Sequence, residues 1–139
     1  MRIFLLATAM AIACINAVPA FAEDPDGIAG TWLTDDGGAH VKIFQENGTY
    51  CGKIVWLKDP LYESDDKEAG KPLRDRNNPD PTKRNQPYLG LYLLRDFAYK
   101  GENLWADGTI YNPENGKIYD AKLRLDGKDT LKVRGFIGI

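Results

Sequence analysis

The stretch Ala39-His40-Val41-Lys42-Ile43-Phe44-Gln45-Glu46, then Asn47-Gly48, then Thr49-Tyr50-Cys51-Gly52-Lys53-Ile54-Val55-Trp56-Leu57 decides the fold. Two runs of period-two alternation flank Asn-Gly, the strongest short-range hairpin signal, because both turn residues tolerate positive φ. A two-residue loop sets the register: Glu46 faces Thr49, Ile43 faces Gly52 and Val41 faces Ile54. One face then carries Val41, Ile43, Tyr50, Ile54 and Trp56; the other carries His40, Lys42, Glu46, Thr49 and Lys53. The first is the core face and the second is wet, as in an antiparallel sheet covered on one side. Phe44 and Cys51 interrupt the polar face opposite each other, which puts Cys51 on the wetter side.

The same alternation extends outward. Upstream, Ile28 to Thr34 reads as a strand. Downstream, strands are expected at Leu89 to Leu94, Asp96 to Lys100, Leu104 to Tyr111, Ile118 to Leu125 and Thr130 to Ile139. Gly101-Glu102-Asn103, Asn112 to Lys117 and Asp126-Gly127 supply the turns. About eight short strands with tight turns predict an antiparallel β-barrel or sandwich. Residues 58–88 differ. Asp59-Pro60, Asn78-Pro79-Asp80-Pro81 and Gln86-Pro87 exclude a central strand, since proline cannot donate to a ladder. This is a long, charged, proline-rich loop, of a length usually functional or disordered, with a short helix expected around Glu63 to Ala69.

The N-terminus reads as a leader. Arg2 precedes an apolar run from Ile3 to Ile15, too short to span a bilayer, and Ala20-Phe21-Ala22 is a small-x-small cleavage site. Cleavage is expected between Ala22 and Glu23. Acylation at Cys14 is disfavoured, because Ala11-Ile12-Ala13-Cys14 lacks the leucine of a lipoprotein signal. Residues 1–22 are thus expected to be a signal peptide and 23–139 a single domain, periplasmic or secreted, with no transmembrane segment in the mature protein. The mature chain keeps 17 basic and 20 acidic residues, net −3, so it has no whole-molecule attraction to nucleic acid. Cys51 is its one cysteine and is expected as a free thiol.

Catalytic chemistry finds little footing. His40 lies four residues along the hairpin from the position opposite Cys51, roughly 13 Å at about 3.3 Å per residue, beyond hydrogen-bond reach. Ser64 lacks a nucleophile elbow. One histidine and one mature cysteine cannot complete a zinc site, and the acidic clusters lack EF-hand spacing. No cofactor is expected. Arg74, Arg76, Lys83 and Arg84 gather in the long loop and suit a carboxylate or phosphate, but Asp75 and Asp80 offer self-pairing. Trp32, Trp56, Trp105, Tyr111 and Tyr119 either line a cavity or form plain core; a barrel of this size accommodates both.

Gly30-Thr31-Trp32 resembles the Gly-x-Trp signature of lipocalins and fatty-acid-binding proteins, where the tryptophan closes one end of a ligand-holding barrel. The fuller match is Gly30-Thr31-Trp32, Asp36-Gly37, Cys51 to Leu57, Asn78-Pro79-Asp80-Pro81, Arg84, Pro87, Gly90-Leu91, Trp105, Gly108, Ile110-Tyr111-x-Pro113, Gly116-Lys117-x-Tyr119 and Leu131-x-Val133-Arg134-Gly135. By these residues the chain resembles the bacterial domain-of-unknown-function family 2147. The resemblance implies an exported protein with a lipocalin-like barrel and no established reaction. Members often carry a second cysteine near the position of Cys51 and an arginine where this chain has Gln86. They also run past the position of Ile139, so incomplete barrel closure is expected here.

The leading functional expectation is a periplasmic binding or envelope-accessory module. A small amphiphile would sit among Trp32, Trp56, Trp105, Tyr111 and Tyr119, with Arg84 near its polar end. The alternative is a structural barrel with a filled core whose long loop contacts another envelope component. An enzyme using paired carboxylates ranks third.

Overall fold

The structure, a computed structural model, describes residues 23–136. Residues 1–22, the expected leader, and the last three residues lie outside it. Seven strands follow one another in chain and in space: β1 (Gly30–Leu33), β2 (Ala39–Glu46), β3 (Thr49–Leu57), β4 (Tyr92–Gly101), β5 (Leu104–Asn112), β6 (Lys117–Asp126) and β7 (Thr130–Phe136). All neighbouring pairs are antiparallel, and among the described residues β1 pairs with β2 alone and β7 with β6 alone. The sheet is an open, lipocalin-like half-barrel. Its seam lies between β1 and β7.

The sequence reading counts one strand too many. Leu89 to Leu94 and Asp96 to Lys100 are a single strand, β4, bent at Asp96, whose φ is +63°. The pairing slips there as well. Tyr50 faces Phe97 and Gly52 faces Leu94, so the single residue Cys51 is opposed by both Arg95 and Asp96. Such a bulge bends a strand without ending it. The helix expected at Glu63 to Ala69 is absent; that stretch is a chain of turns. The regular helical element of the loop is a short 3-10 turn at Pro81–Lys83, capped by the Asp80 side chain, which accepts from the Thr82 N–H.

The hairpin register is as expected: Val41 faces Ile54, Ile43 faces Gly52, Phe44 faces Cys51 and Glu46 faces Thr49. Asn47 and Gly48 both take positive φ, +52° and +82°. Two exposure expectations fail. Val55 is an extra residue in β3, because Val41 faces Ile54 while His40 faces Trp56. The slip turns Trp56 out of the core face. It is 42% exposed, with its ring 4.6 Å from that of His40.

Cys51 is a free thiol but buried, not wet, at 3% exposure. The register is right; the cover comes from elsewhere. Phe44 opposite packs against Tyr92, with ring centroids 5.9 Å apart, and on its other side Cys51 lies against the Arg95–Asp96 bulge of β4. Burial pushes the thiol up from its ordinary pKa, which suppresses the reactive thiolate. We expect a maleimide to label Cys51 slowly in native protein and fully in denaturant. Equal rates would refute the burial.

The end of the half-barrel beside residues 25–28 is filled. Trp105, Phe97, Leu123 and Ile28 are fully buried, with Tyr50 and Ala121 against them. The 3-10 turn Pro25–Ile28 forms the plug. Three aromatic donors hold it: Trp105 Nε1 donates to Pro25 O at 3.0 Å, Trp32 Nε1 to Ile28 O at 2.8 Å, and Tyr50 Oη to Asp26 Oδ1. Burial, reinforced by that last bond, raises the Tyr50 pKa to about 12. Gly108 is required at the adjacent β5 bulge. A Cβ there would stand 2.5 Å from the Phe97 ring and 2.6 Å from the Arg95 carbonyl oxygen.

Candidate functional site

Past the plug the inner face is not filled. A groove of about 670 Å³ runs along the seam, within the usual range for small-molecule pockets. Trp32 and Leu33 of β1 form one wall; Leu131 and Val133 of β7 form the other. Val41, Ile43, Leu94 and Ile110 form the floor, contributed by β2, β4 and β5. Alternation explains much of this lining, since paired residues point to the same side: Trp32 faces Val41, Leu94 faces Ile110, and Leu131 and Val133 share one side of β7. Polar side chains also border it, Thr34 and Asp35 just after β1, Asp129 just before β7 and Lys132 on β7.

A second cavity, about 310 Å³, lies on the outer side of the wall, where the long loop folds over β4 and β5. Asp75 anchors the loop. It is fully buried; its Oδ1 accepts from Tyr111 Oη at 2.6 Å and its Oδ2 from Asn78 Nδ2 at 2.7 Å. Burial, with the bond to Asp75, raises the Tyr111 pKa. Asn77 also donates to the Glu114 carbonyl at 3.0 Å. Gly116, at φ +71°, lets the β5–β6 turn approach, because a Cβ there would stand 2.1 Å from Asn77 O.

The loop's shape is set by an ion-pair cluster. Arg76 forks onto Asp66, with Nη2 to Oδ2 at 2.6 Å and Nη1 to Oδ1 at 2.8 Å, and reaches Glu68 Oε2 at 2.9 Å. Arg74 donates to Glu68 Oε1 at 2.9 Å and to the Arg84 carbonyl at 2.8 Å. The self-pairing partners are therefore Asp66 and Glu68, not Asp75 and Asp80. Hydrogen bonds from Arg76 hold the Asp66 carboxyl well below its usual pKa, and bonds from Arg76 and Arg74 lower that of Glu68. A carboxylate with a depressed folded pKa stabilises above its unfolded value, about 4, and loses that contribution as pH falls through the folded one. Limited proteolysis should find residues 58–88 resistant at pH 7 and progressively cut below about pH 4. A neutral protease at pH 7 and an acid protease between pH 4 and pH 2.5, each calibrated on an unfolded substrate, make the comparison, and unchanged resistance at pH 2.5 would contradict the assignment.

The residues singled out from sequence do not converge. Trp32 lines the groove. Trp105 is at the filled end, within the core. Trp56 is outside, stacked on His40. Tyr111 lies under the loop on the outer face, bound to Asp75. Tyr119 faces Ile110, half-buried, its Oη accepting from Asn115 Nδ2 at 3.0 Å. Arg84 lines neither cavity; it is exposed, and its Nε donates to Asn78 O at 2.7 Å, a contact that supports the loop. Cys51 lies behind the sheet. The expected aromatic lining is instead mostly aliphatic, and Ile43, Leu94, Ile110, Leu131 and Val133 were legible only as core alternation.

A sequence model of the bacterial family described as "Uncharacterized protein conserved in bacteria (DUF2147)" matches residues 30–139. Comparison with curated proteins finds no match. Among solved structures, the chain is similar to protein HP1028 from the human pathogen Helicobacter pylori, described as belonging to the lipocalin family. The two share 22% identity with a TM-score of 0.62, over 78% of this chain and 70% of that one. At that identity the likeness establishes the fold.

Proposed function

This chain belongs to the DUF2147 family, and from that premise we propose that it is an exported binding protein whose seam groove holds the apolar part of a small amphiphile. The observation that carries the reading is the groove itself: about 670 Å³, with Trp32, Val41, Ile43, Leu94, Ile110 and Leu131 around it, in a barrel otherwise packed to zero exposure at the plugged end. A structural barrel has no need of an unfilled aliphatic trough, and apolar surface left open in water is costly. Trp32 joins plug and groove, since its indole N–H is tied to Ile28 O while its ring lines the wall.

Export belongs to the same reading. Residues 1–22 have the layout of a cleaved leader, and among the described residues no helix is long and apolar enough to cross a membrane. The mature protein is expected to begin at Glu23 in the periplasm or outside the cell.

The test is a titration followed by tryptophan fluorescence, using straight-chain alcohols of increasing length. Burial contributes about 0.8 kcal/mol per methylene. Affinity should therefore rise roughly fourfold per carbon until the groove is full, then level off. Affinity independent of chain length, or no signal, would favour the filled structural barrel.

A further inference from the structure

We infer that the outer cavity under the long loop is an anion-binding site in which Arg95 and Lys83 take a carboxylate or phosphate group. These two cations line the cavity from opposite elements, Arg95 from β4 and Lys83 from the 3-10 turn of the loop. Among the described residues neither is in an ion pair. That sets them apart from Arg74 and Arg76, whose charges are consumed by Glu68 and Asp66. The Arg95 guanidinium is held over the Tyr92 ring, 4.2 Å from its centroid, which orders it before any ligand arrives. The cavity's own carboxylates are already engaged. Asp75 accepts from Tyr111 and Asn78, and Asp80 Oδ1 accepts from both the N–H and the O–H of Thr82. The carboxylates are held by neutral donors and ion-pair with neither cation, which leaves both cations open to a ligand, and the preferred partner of a guanidinium is a planar, bidentate oxyanion.

The site also has a connection to the groove. Leu93 lines both cavities and is the residue their linings share. At this point the wall is loosened. Leu93 has no partner on β3, because Gly52 faces Leu94 and Lys53 faces Tyr92, and pairing of β4 with β5 ends at Leu94 and Ile110. An amphiphile with its chain in the groove would have its anionic head beside Arg95 if it passed Leu93. This part rests on the groove reading. The anion site does not, since a free small anion presents the same group.

The experiment compares dodecanoate and dodecyl phosphate with dodecanol, and, separately, phenyl phosphate without a chain. It uses wild type, Arg95→Gln and Lys83→Gln, with fluorescence for affinity and the Arg95 Nε–Hε resonance for location. A charge-assisted bond of typical strength corresponds to roughly 10- to 150-fold in affinity. Each variant should weaken the two anionic amphiphiles by that order, keep dodecanol affinity unchanged and leave the melting temperature in place. A shift of the Arg95 resonance by phenyl phosphate alone identifies a free-anion site; a shift by the long-chain anions alone identifies a head-group site. Either supports the proposal. It is overturned if no anion moves the Arg95 resonance, or if both variants leave anion affinity at the wild-type value. Dodecanol reports on the groove independently, so its failure to bind would refute the groove reading and leave the anion site to be judged on phenyl phosphate.

Discussion

Trp105→Ala should cost about 3–5 kcal/mol, the range for truncating a fully buried tryptophan. The indole has zero exposure and packs against Tyr99, ring centroids 4.9 Å apart, and against Leu123 across the β5–β6 pair. Its Nε1 also holds the Pro25 carbonyl, so the substitution removes both the filling and a tie to the plug. Such a loss is a large share of a small domain's stability, typically about 5–15 kcal/mol. We expect the variant to melt far below wild type in a calorimeter or to accumulate as aggregate. Trp56→Ala is the internal comparison. Its ring is 42% exposed outside the barrel, and its loss should lower stability by less than about 1 kcal/mol. Similar melting temperatures for the two variants would contradict the division between a plugged core and an outer tryptophan.

Asp75→Ala should release the long loop. The substitution strands the Tyr111 hydroxyl and Asn78 amide that Asp75 satisfies. Each buried donor left without an acceptor costs about 1–3 kcal/mol, so a total of about 2–6 kcal/mol is expected. Because the loop meets the sheet through this residue, the loss should be local. Hydrogen exchange over residues 72–88 should accelerate by orders of magnitude while β2, β3 and β6 stay protected. Asp75→Asn retains one acceptor oxygen and should fall between the alanine variant and wild type. Uniform acceleration across the sheet would show that Asp75 supports the barrel and not the loop.

The strands were legible in the sequence where they depend on neighbours along the chain. Alternation and Asn47-Gly48 were enough for β2 and β3 down to the residue pairs, and inward faces such as Leu123 with Val133 follow from period two. The reading failed where an extra residue shifts the phase. Val55 and Asp96 are such residues; alternation carries no sign of them, yet they turn Trp56 outward and merge two expected strands into β4. Burial from the outside was equally invisible. Cys51 is buried opposite a bulge on another strand, and Asp75 is paired with Tyr111, 36 residues away. Arg84 drew attention by its place in a basic cluster, while the cations that line the outer cavity are Lys83 of that cluster and Arg95 on a strand. Partner geometry, which decides between them, exists only in three dimensions.

If the seam groove holds an apolar chain, blocking the groove should abolish binding. Val133 stands on its β7 wall with 46% exposure, so Val133→Trp adds bulk into the trough without entering the plugged core. Dodecanol affinity should then be measured by calorimetry on wild type and variant at matched melting temperature. Affinity should fall by two orders of magnitude or more, about 3 kcal/mol, with folding intact. Dodecanol bound equally well by a folded Val133→Trp protein would place the ligand elsewhere and contradict the claim.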